Sequence, residues 1–459
     1  MWRSSAEDSL ERLHERGHAL QQLSERRRET ARPGLTLLSS VLLALTFVGC
    51  AAPPLRPIDT TDYKDRLQTQ QDGKLRASVA ALSDEESERV YGVPLAKKGI
   101  QPVWIEIEND DTRAYWLSSS GLDPNFFPAS EAAEAFAGDA KDEAGEITER
   151  FKGLAFHNPA IPGKTSGFVL VNLDQGVKLV HLDLIASGES RSFSFLVPVP
   201  GFRGDYKTAE VFERDIYSAE ERVDYTDDAA FRTALESLPC CVTNESGSKT
   251  GDPINLVIVG GLDDAFPALV RRGWRPTEAT WSGSVLKMMK SALAHDRYPY
   301  SPVSNLYLYG RRQDLALQKA RDTIHQRNHL RLWLSPLSYH GKQVWVGQIS
   351  RDIGSRLTIH SKTLTTHKID PDVDEARLAL VEDMTYSQSL AKFGFVNGVG
   401  AATASAPRQN LTTDPWYTDG RRAVLIFDKQ SYSLTDIVSI PWAGVAMRAP
   451  EQEPESVRP

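Results

Sequence analysis

Alternation of apolar and polar residues with a period of two is the feature that most restricts the fold of this chain. It is clear in residues 103–108 (VWIEIE), 177–185 (VKLVHLDLI) and 193–199 (FSFLVPV). Because successive side chains of a strand point to opposite faces, each run predicts a strand with one buried face. Residues 109–111 and 172–176 contain the Asn, Asp and Gly that are typical of turns.

Short alternating strands with turns between them predict an antiparallel β-sandwich over residues 76–205. We expect Leu182 and Phe195 to lie in its core. Further strands are predicted at 114–117 and 167–172, and helices are predicted after Ser83 and near Ser130.

A different pattern begins after residue 250. The apolar run 255–261 (NLVIVGG) precedes helical spacing in 262–273, and 372–383 also has one apolar helical face. Four strand-like pieces lie at 306–309, 329–334, 344–349 and 423–427. The fold class predicted for the whole chain is α+β, with the sandwich followed by a mixed α+β domain over residues 251–445. Residues 206–250 are interpreted as a junction and 446–459 as a tail.

The N-terminal segment predicts export. Three arginines at 26–28 precede an uncharged stretch from Pro33 to Leu55, which contains Phe47-Val48-Gly49-Cys50. A basic region followed by a short apolar run is typical of an export signal, and the last four residues resemble a lipobox. That resemblance implies a lipid on Cys50, which would anchor the chain in a membrane.

We therefore interpret residues 1–49 as a signal region and residues 50–75 as a tether. The first 25 residues are interpreted as the product of a translation start assigned too far upstream. Ala51 after the cysteine favours the outer membrane, facing the periplasm. The alternative is an uncleaved anchor, since the uncharged stretch is long enough to cross a bilayer.

Composition excludes several classes of function. The chain has 53 Lys and Arg against 61 Asp and Glu, a formal charge of −8, so it lacks the basic balance of a nucleic-acid-binding protein. Its three cysteines are Cys50 and the neighbours Cys240 and Cys241. They supply neither a disulfide framework nor a tetrahedral thiolate zinc site. The sequence predicts no metal and no cofactor.

A family resemblance rests on six motifs in the second domain. The motifs are GDP (251–253), RRGW (271–274), YPYSPVSNLYLYGRRQDLALQK (298–319), HLRLW (329–333), VWVGQISRD (344–352) and THKIDPDVDEAR (366–377). Together they resemble the LssY C-terminal domain family. The resemblance implies a cell-envelope context and no particular reaction.

Two groups of charged residues could carry chemistry. His367 and Asp370 begin a motif with Asp372 and Asp374, whose carboxylates could bind a cation; a simpler interpretation is that these aspartates cap the following helix. His329 and Asp352 are further catalytic candidates. Arg311 and Arg312 could bind an anion, although pairing with Asp314 is the simpler interpretation.

Two functional hypotheses follow. The first is an envelope-tethered lipoprotein with a binding or structural role, whose partner is an envelope protein or polymer. The second is a hydrolase of phosphate esters or envelope components, in which His329, Asp352, His367 and Asp370 converge. An enzyme requires these side chains in one pocket, and on the sequence alone we favour the first hypothesis.

Overall fold

The structure is a computed structural model that describes residues 62–137, 144–173, 177–199, 216–277, 304–320, 327–357 and 365–442. Cys50, the rest of residues 1–61 and the tail after residue 442 lie outside the described residues. The described residues belong to one compact unit.

Two antiparallel sheets form the N-terminal part. The first has the order β1-β2-β3-β5 and the second the order β4-β6-β7. Their strands are β1 (Gln68–Asp72), β2 (Leu75–Ala81), β3 (Ile100–Asn109), β4 (Trp116–Ser118), β5 (Gly163–Asn172), β6 (Val177–Ala186) and β7 (Glu189–Pro198). Apolar side chains from both sheets form one shared core, in which Leu182 is 0% and Phe195 2% exposed. The predicted sandwich, with these two residues in its core, is confirmed.

Helices cover the other face of the first sheet. They are α1 (Asp84–Tyr91), α3 (Ala129–Ala137) and α4 (Ala144–Leu154), which contribute to a second apolar cluster against that sheet. The short α2 (Ser119–Leu122) lies against β6 instead. The helix predicted after Ser83 is confirmed. Ser83 and Glu86 form a reciprocal capping box, in which each side chain accepts a hydrogen bond from the other's backbone N–H.

The predicted tether is wrong at its C-terminal end. Residues 62–66 form a 3-10 helix and β1 pairs along its whole length with β2. The sequence obscured this hairpin because β2 is buried on both faces, so its apolar residues do not alternate.

A ten-stranded mixed sheet dominates the second part. Its main path is β12-β15-β16-β17-β11-β22-β19-β23, and β8 and β18 pair with β16 and β17. These strands are β8 (Val223–Tyr225), β11 (Leu256–Val259), β12 (Arg275–Pro276), β15 (Leu315–Ala320), β16 (Arg327–Tyr339), β17 (Lys342–Leu357), β18 (Thr365–Ile369), β19 (Leu390–Val396), β22 (Arg422–Phe427) and β23 (Val438–Ile440). The predicted pieces 329–334 and 344–349 are the centres of the long β16 and β17.

Smaller elements complete the second part. A four-stranded sheet contains β9 (Cys241–Thr243), β10 (Thr250–Pro253), β13 (Tyr307–Leu308) and β14 (Arg311–Arg312), and β20 (Arg408–Gln409) pairs with β21 (Pro415–Trp416). The helices are α5 (Asp228–Glu236), α6 (Ala265–Arg271) and α7 (Val373–Thr385). Cys240 and Cys241 are joined by a disulfide. The fold is α+β, as the sequence predicts.

The interpretation of residues 206–250 as a junction is wrong for the portion that the structure describes. There β8 extends the large sheet and β9 pairs with β10, so both belong to the second part. One face of the large sheet packs its apolar residues against α6 and α7, whereas α5 and the four-stranded sheet cover parts of the other face.

Candidate functional site

One face of β15, β16 and β17 carries a row of buried polar side chains. Gln318 lies opposite His329, His329 lies opposite Ser350, and Arg331 lies opposite Gln348. Because directly opposed residues of neighbouring strands share a face, these side chains form one surface. We call it the polar face: Gln318, Arg327, His329, Arg331, Gln348, Ser350 and Asp352, all of them buried.

An ion pair lies at one end of the polar face. Arg327 Nε donates to Asp352 Oδ2 at 3.2 Å, and the two side chains are only 1% and 2% exposed. Arg327 Nη1 also donates to Gln318 Oε1 at 2.7 Å. His329 Nε2 lies 3.1 Å from the same carboxylate oxygen. The structure thus brings together two of the four catalytic candidates, His329 and Asp352.

The environment of His329 keeps its imidazole neutral. Burial lowers the pKa of His329 to about 3; the neighbouring Asp352 opposes this shift and Arg327 adds to it. Burial also lowers the pKa of the Arg327 guanidinium. A neutral imidazole beside a carboxylate that also holds an arginine is a hydrogen-bonding group rather than a proton acceptor near neutral pH.

The other end of the polar face reaches the GDP motif. Arg331 Nη1 donates to Gln348 Oε1 at 2.9 Å, and Arg331 Nε donates to the carbonyl of Ser304 at 3.2 Å. Burial raises the pKa of Asp252, and the charge of Arg331 opposes this shift. Four motifs that carry the family resemblance therefore supply side chains to one surface or its immediate surroundings.

A cleft of about 600 Å³ adjoins the ion pair. Its volume lies within the usual range of ligand pockets, roughly 300–1,000 Å³. The lining includes Arg327 and Asp352 from the polar face, and Glu382 and Tyr386 from α7 and its C-terminal end. We call this space the charged cleft, because four of its lining residues are Lys or Arg and three are Asp or Glu.

Asp383 organises one wall of the charged cleft. Its carboxylate accepts hydrogen bonds from Arg272 Nε at 2.8 Å and from Trp274 Nε1 at 3.0 Å. Lys319 Nζ donates to both carboxylate oxygens at 2.9 and 2.8 Å. Three side chains from two chain segments, residues 272–274 and β15, are therefore fixed to one carboxylate on α7, which makes this wall rigid.

The helix-start motif has the geometry of a cap. Asp370 Oδ1 accepts a hydrogen bond from the backbone N–H of Asp372 at 3.1 Å. Asp372, the residue before α7, accepts one from the N–H of Asp374 at 3.1 Å. Asp370 is absent from the lining of the charged cleft. His367 lies on β18 opposite Ser355, and its side chain is outside the described part of the structure.

Arg311 is engaged within the fold. Its Nε and Nη2 donate to the two oxygens of Asp314 at 2.9 and 2.8 Å, and its Nη1 donates to Tyr217 Oη at 3.0 Å. This fork occupies the geometry that an anion would otherwise use. Arg312 is exposed on β14.

Sequence reasoning missed most of the residues in the polar face and the charged cleft. Arg327 and Gln348 carry a readable signal, because they continue the period of two set by His329 in β16 and by Asp352 in β17. Gln318 lies on β15 and is placed beside them only by strand pairing. Asp383 carries no such signal, since its partners Arg272 and Lys319 are distant in sequence.

Among the residues that the structure describes, no group of three or more His, Cys, Asp or Glu side chains could hold a metal ion. Within those same residues, no helix is both long and apolar enough to cross a membrane.

The family model described as LssY C-terminus matches residues 232–421. The match includes β9 to β21 together with the polar face and the charged cleft. The chain is therefore an α+β protein that contains a region like the LssY C-terminal domain. No curated protein matches the chain.

Proposed function

We propose that this protein is a lipid-tethered binding protein of the bacterial cell envelope, and that its LssY C-terminal-like region holds a segment of an envelope polymer in the charged cleft. The basic and apolar segment before Cys50 supports the tether, and Ala51 after the cysteine supports an outer-membrane location facing the periplasm. The cleft supports the binding role.

The buried pair of Arg327 and Asp352 at the wall of the cleft carries the binding proposal. Taking two charges out of water costs free energy that their mutual attraction often does not recover, so such a pair is a poor device for stability alone. Its side chains are only 1% and 2% exposed, so its role is to fix β16 and β17 to each other at the wall of the cleft rather than to touch a ligand. A ligand that binds against this fixed wall costs the protein little conformational entropy.

The lining indicates the chemistry of the ligand. Both cationic and anionic side chains line the cleft, and so does the exposed Tyr386, whose ring centroid lies 5.9 Å from the Arg272 guanidinium carbon. Both charges together with an aromatic surface favour a segment that carries both charges and an apolar face. A sugar polymer that bears peptides has these properties.

The geometry favours binding over the alternative of hydrolysis. A hydrolase that uses His329 as a general base needs a pKa near the working pH, whereas burial lowers that of His329 to about 3. Asp370 accepts a hydrogen bond from the backbone N–H of Asp372, the N-cap of α7, and is absent from the lining of the cleft.

Sedimentation with purified peptidoglycan sacculi tests the binding role. We expect the full chain to sediment with them, and Tyr386→Ala and Glu382→Gln to reduce the bound fraction at least about 5-fold. Leu378→Ala, on an exposed position of the same helix, is the matched control and should bind normally. Equal binding by all four proteins would contradict the proposal. Binding that is lost when proteins attached to the sacculi are digested would assign a protein partner instead.

The tether is tested separately. We expect Cys50→Ser to abolish acylation and to leave an unprocessed or misplaced chain. Membrane partitioning and the mass of the mature chain are the measurements. If both are unchanged in the variant, the anchor is not on Cys50.

A further inference from the structure

A second, smaller cavity lies between the sandwich and the large sheet. It has a volume of about 50 Å³, and twelve of its fourteen lining residues have apolar or indole side chains. Leu179 and Leu196 come from the outer face of the sandwich, whereas Phe266 and Val270 of α6 and Leu317 of β15 come from the second part. We call it the apolar cavity.

The polar groups of the apolar cavity are already committed. They are Asp123 and Arg275, which form a pair with Arg275 Nη2 donating to Asp123 Oδ1 at 2.7 Å. Asp123 also accepts from the backbone N–H of Asn172 at 3.0 Å. A sugar, peptide or phosphate entering this space would leave its own polar groups without partners, which is costly. The lining therefore selects hydrocarbon.

The volume of the apolar cavity limits which occupant fits. A water molecule needs a cavity volume of roughly 10–15 Å³ and two to four polar partners, whereas an engineered apolar cavity of about 150 Å³ holds benzene. The apolar cavity is large enough for water but offers it no adequate set of partners, and it is too small for a ring. An unbranched chain end fits both limits.

We propose that the apolar cavity binds the terminal carbons of an acyl chain. The occupant is the end of one unbranched hydrocarbon chain, held by van der Waals contact and by its removal from water. This site is separate from the charged cleft and does not depend on the function proposed for it.

Photolabelling tests the proposal on the full chain. The probe is decanoic acid with a diazirine near its methyl end. After irradiation we expect the label on peptides that contain Leu179, Leu196, residues 262–276 or Leu317. Excess unlabelled decanoate should compete, whereas adamantane carboxylate, whose cage is too large for the cavity, should not.

Val270→Phe fills the apolar cavity and should reduce labelling at least about 5-fold. Leu262→Phe fills the cavity from another position in its lining. It tests the same expectation if Val270→Phe fails to fold. Leu378→Phe makes a similar change at an exposed site on α7 and should label as the wild type does. Undiminished labelling in folded Val270→Phe or Leu262→Phe, label on other peptides, or no saturable label would overturn the proposal.

Discussion

The sandwich core and the polar face occupy equally buried positions but are built from opposite kinds of side chain. Ile105 and Leu182 meet other apolar groups between two sheets, whereas Arg327, His329 and Asp352 meet one another on a third sheet. Apolar burial stabilises a fold with little geometric demand. Buried charges stabilise it only through specific partners. The comparison shows that the sandwich core stabilises the fold as a whole, whereas the polar face fixes the positions of particular side chains.

The largest effect should come from placing a charge in the sandwich core. Leu182→Asp or Phe195→Asp buries an unpaired carboxylate among apolar groups, so we expect the sandwich to lose about 5 kcal/mol or more and to unfold. Urea denaturation followed by circular dichroism measures the loss. Ile185→Asp changes an exposed residue of the same strand and should shift the stability by less than about 0.5 kcal/mol. A Leu182→Asp variant that stays folded would show that the sandwich core accepts a charge, and the two regions would then not differ in this respect.

The polar face should respond to pairs rather than to single residues. Asp352→Leu leaves the Arg327 guanidinium buried without its carboxylate and should cost about 3–5 kcal/mol. The double variant Arg327→Met with Asp352→Leu replaces both charges by apolar groups and should recover most of that loss. Chemical denaturation of the single and double variants forms a thermodynamic cycle. Additive losses would show that the two residues do not act as a pair.

Several strands of the sandwich could be predicted because one of their faces is buried in the core and the other is at least partly exposed. Apolar and polar residues therefore alternate along them. The run 103–108 predicted β3, and Ser83 predicted the start of α1. The hairpin of β1 and β2 was not predictable in the same way, because β2 is covered on both faces and loses the alternating pattern. Which faces are covered depends on elements far away in the chain.

The polar face was predictable only in part, for a related physical reason. The period of two in β16 and β17 places Arg327, His329 and Arg331 on one face. Alternation of this kind normally indicates that the polar face is exposed. Its burial depends on tertiary packing, and so does the contact of Asp383 with Lys319 in the wall of the cleft. Sequence reasoning could therefore find the row of residues but not its burial.

The polar face and the sandwich should lose stability in acid over different pH ranges. The pKa of His329 is lowered from 6.5 to about 3 by burial, so the unfolded chain binds a proton that the folded chain excludes as the pH falls from about 6.5 towards 3. Stability from this group is therefore present above pH 6.5 and is lost below it, by up to about 1.4 kcal/mol per pH unit.

Asp123, in the sandwich part, should affect the stability over a lower pH range. Burial opposes its ionisation but Arg275 outweighs this and lowers its pKa from 3.8 to about 2, so its contribution is lost only as the pH falls below about 3.8. Urea denaturation of the wild type and of His329→Gln between pH 7 and 4.5 distinguishes the two groups. The variant should lose less stability over this range, and parallel curves would contradict the assignment to His329.

The smallest effects should come from helix caps, where the two regions are expected to behave alike. Ser83→Ala in the sandwich part and Asp372→Ala before α7 each remove the side chain that accepts a hydrogen bond from a backbone N–H at a helix start. Each should cost about 1 kcal/mol, because caps are local and do not depend on the kind of core beneath them. Melting temperatures of both variants, together with the metal content of the wild type and Asp370→Asn, check this. A stoichiometric metal lost only in Asp370→Asn would show that the aspartates before α7 are ligands, and the two helix starts would then no longer be equivalent.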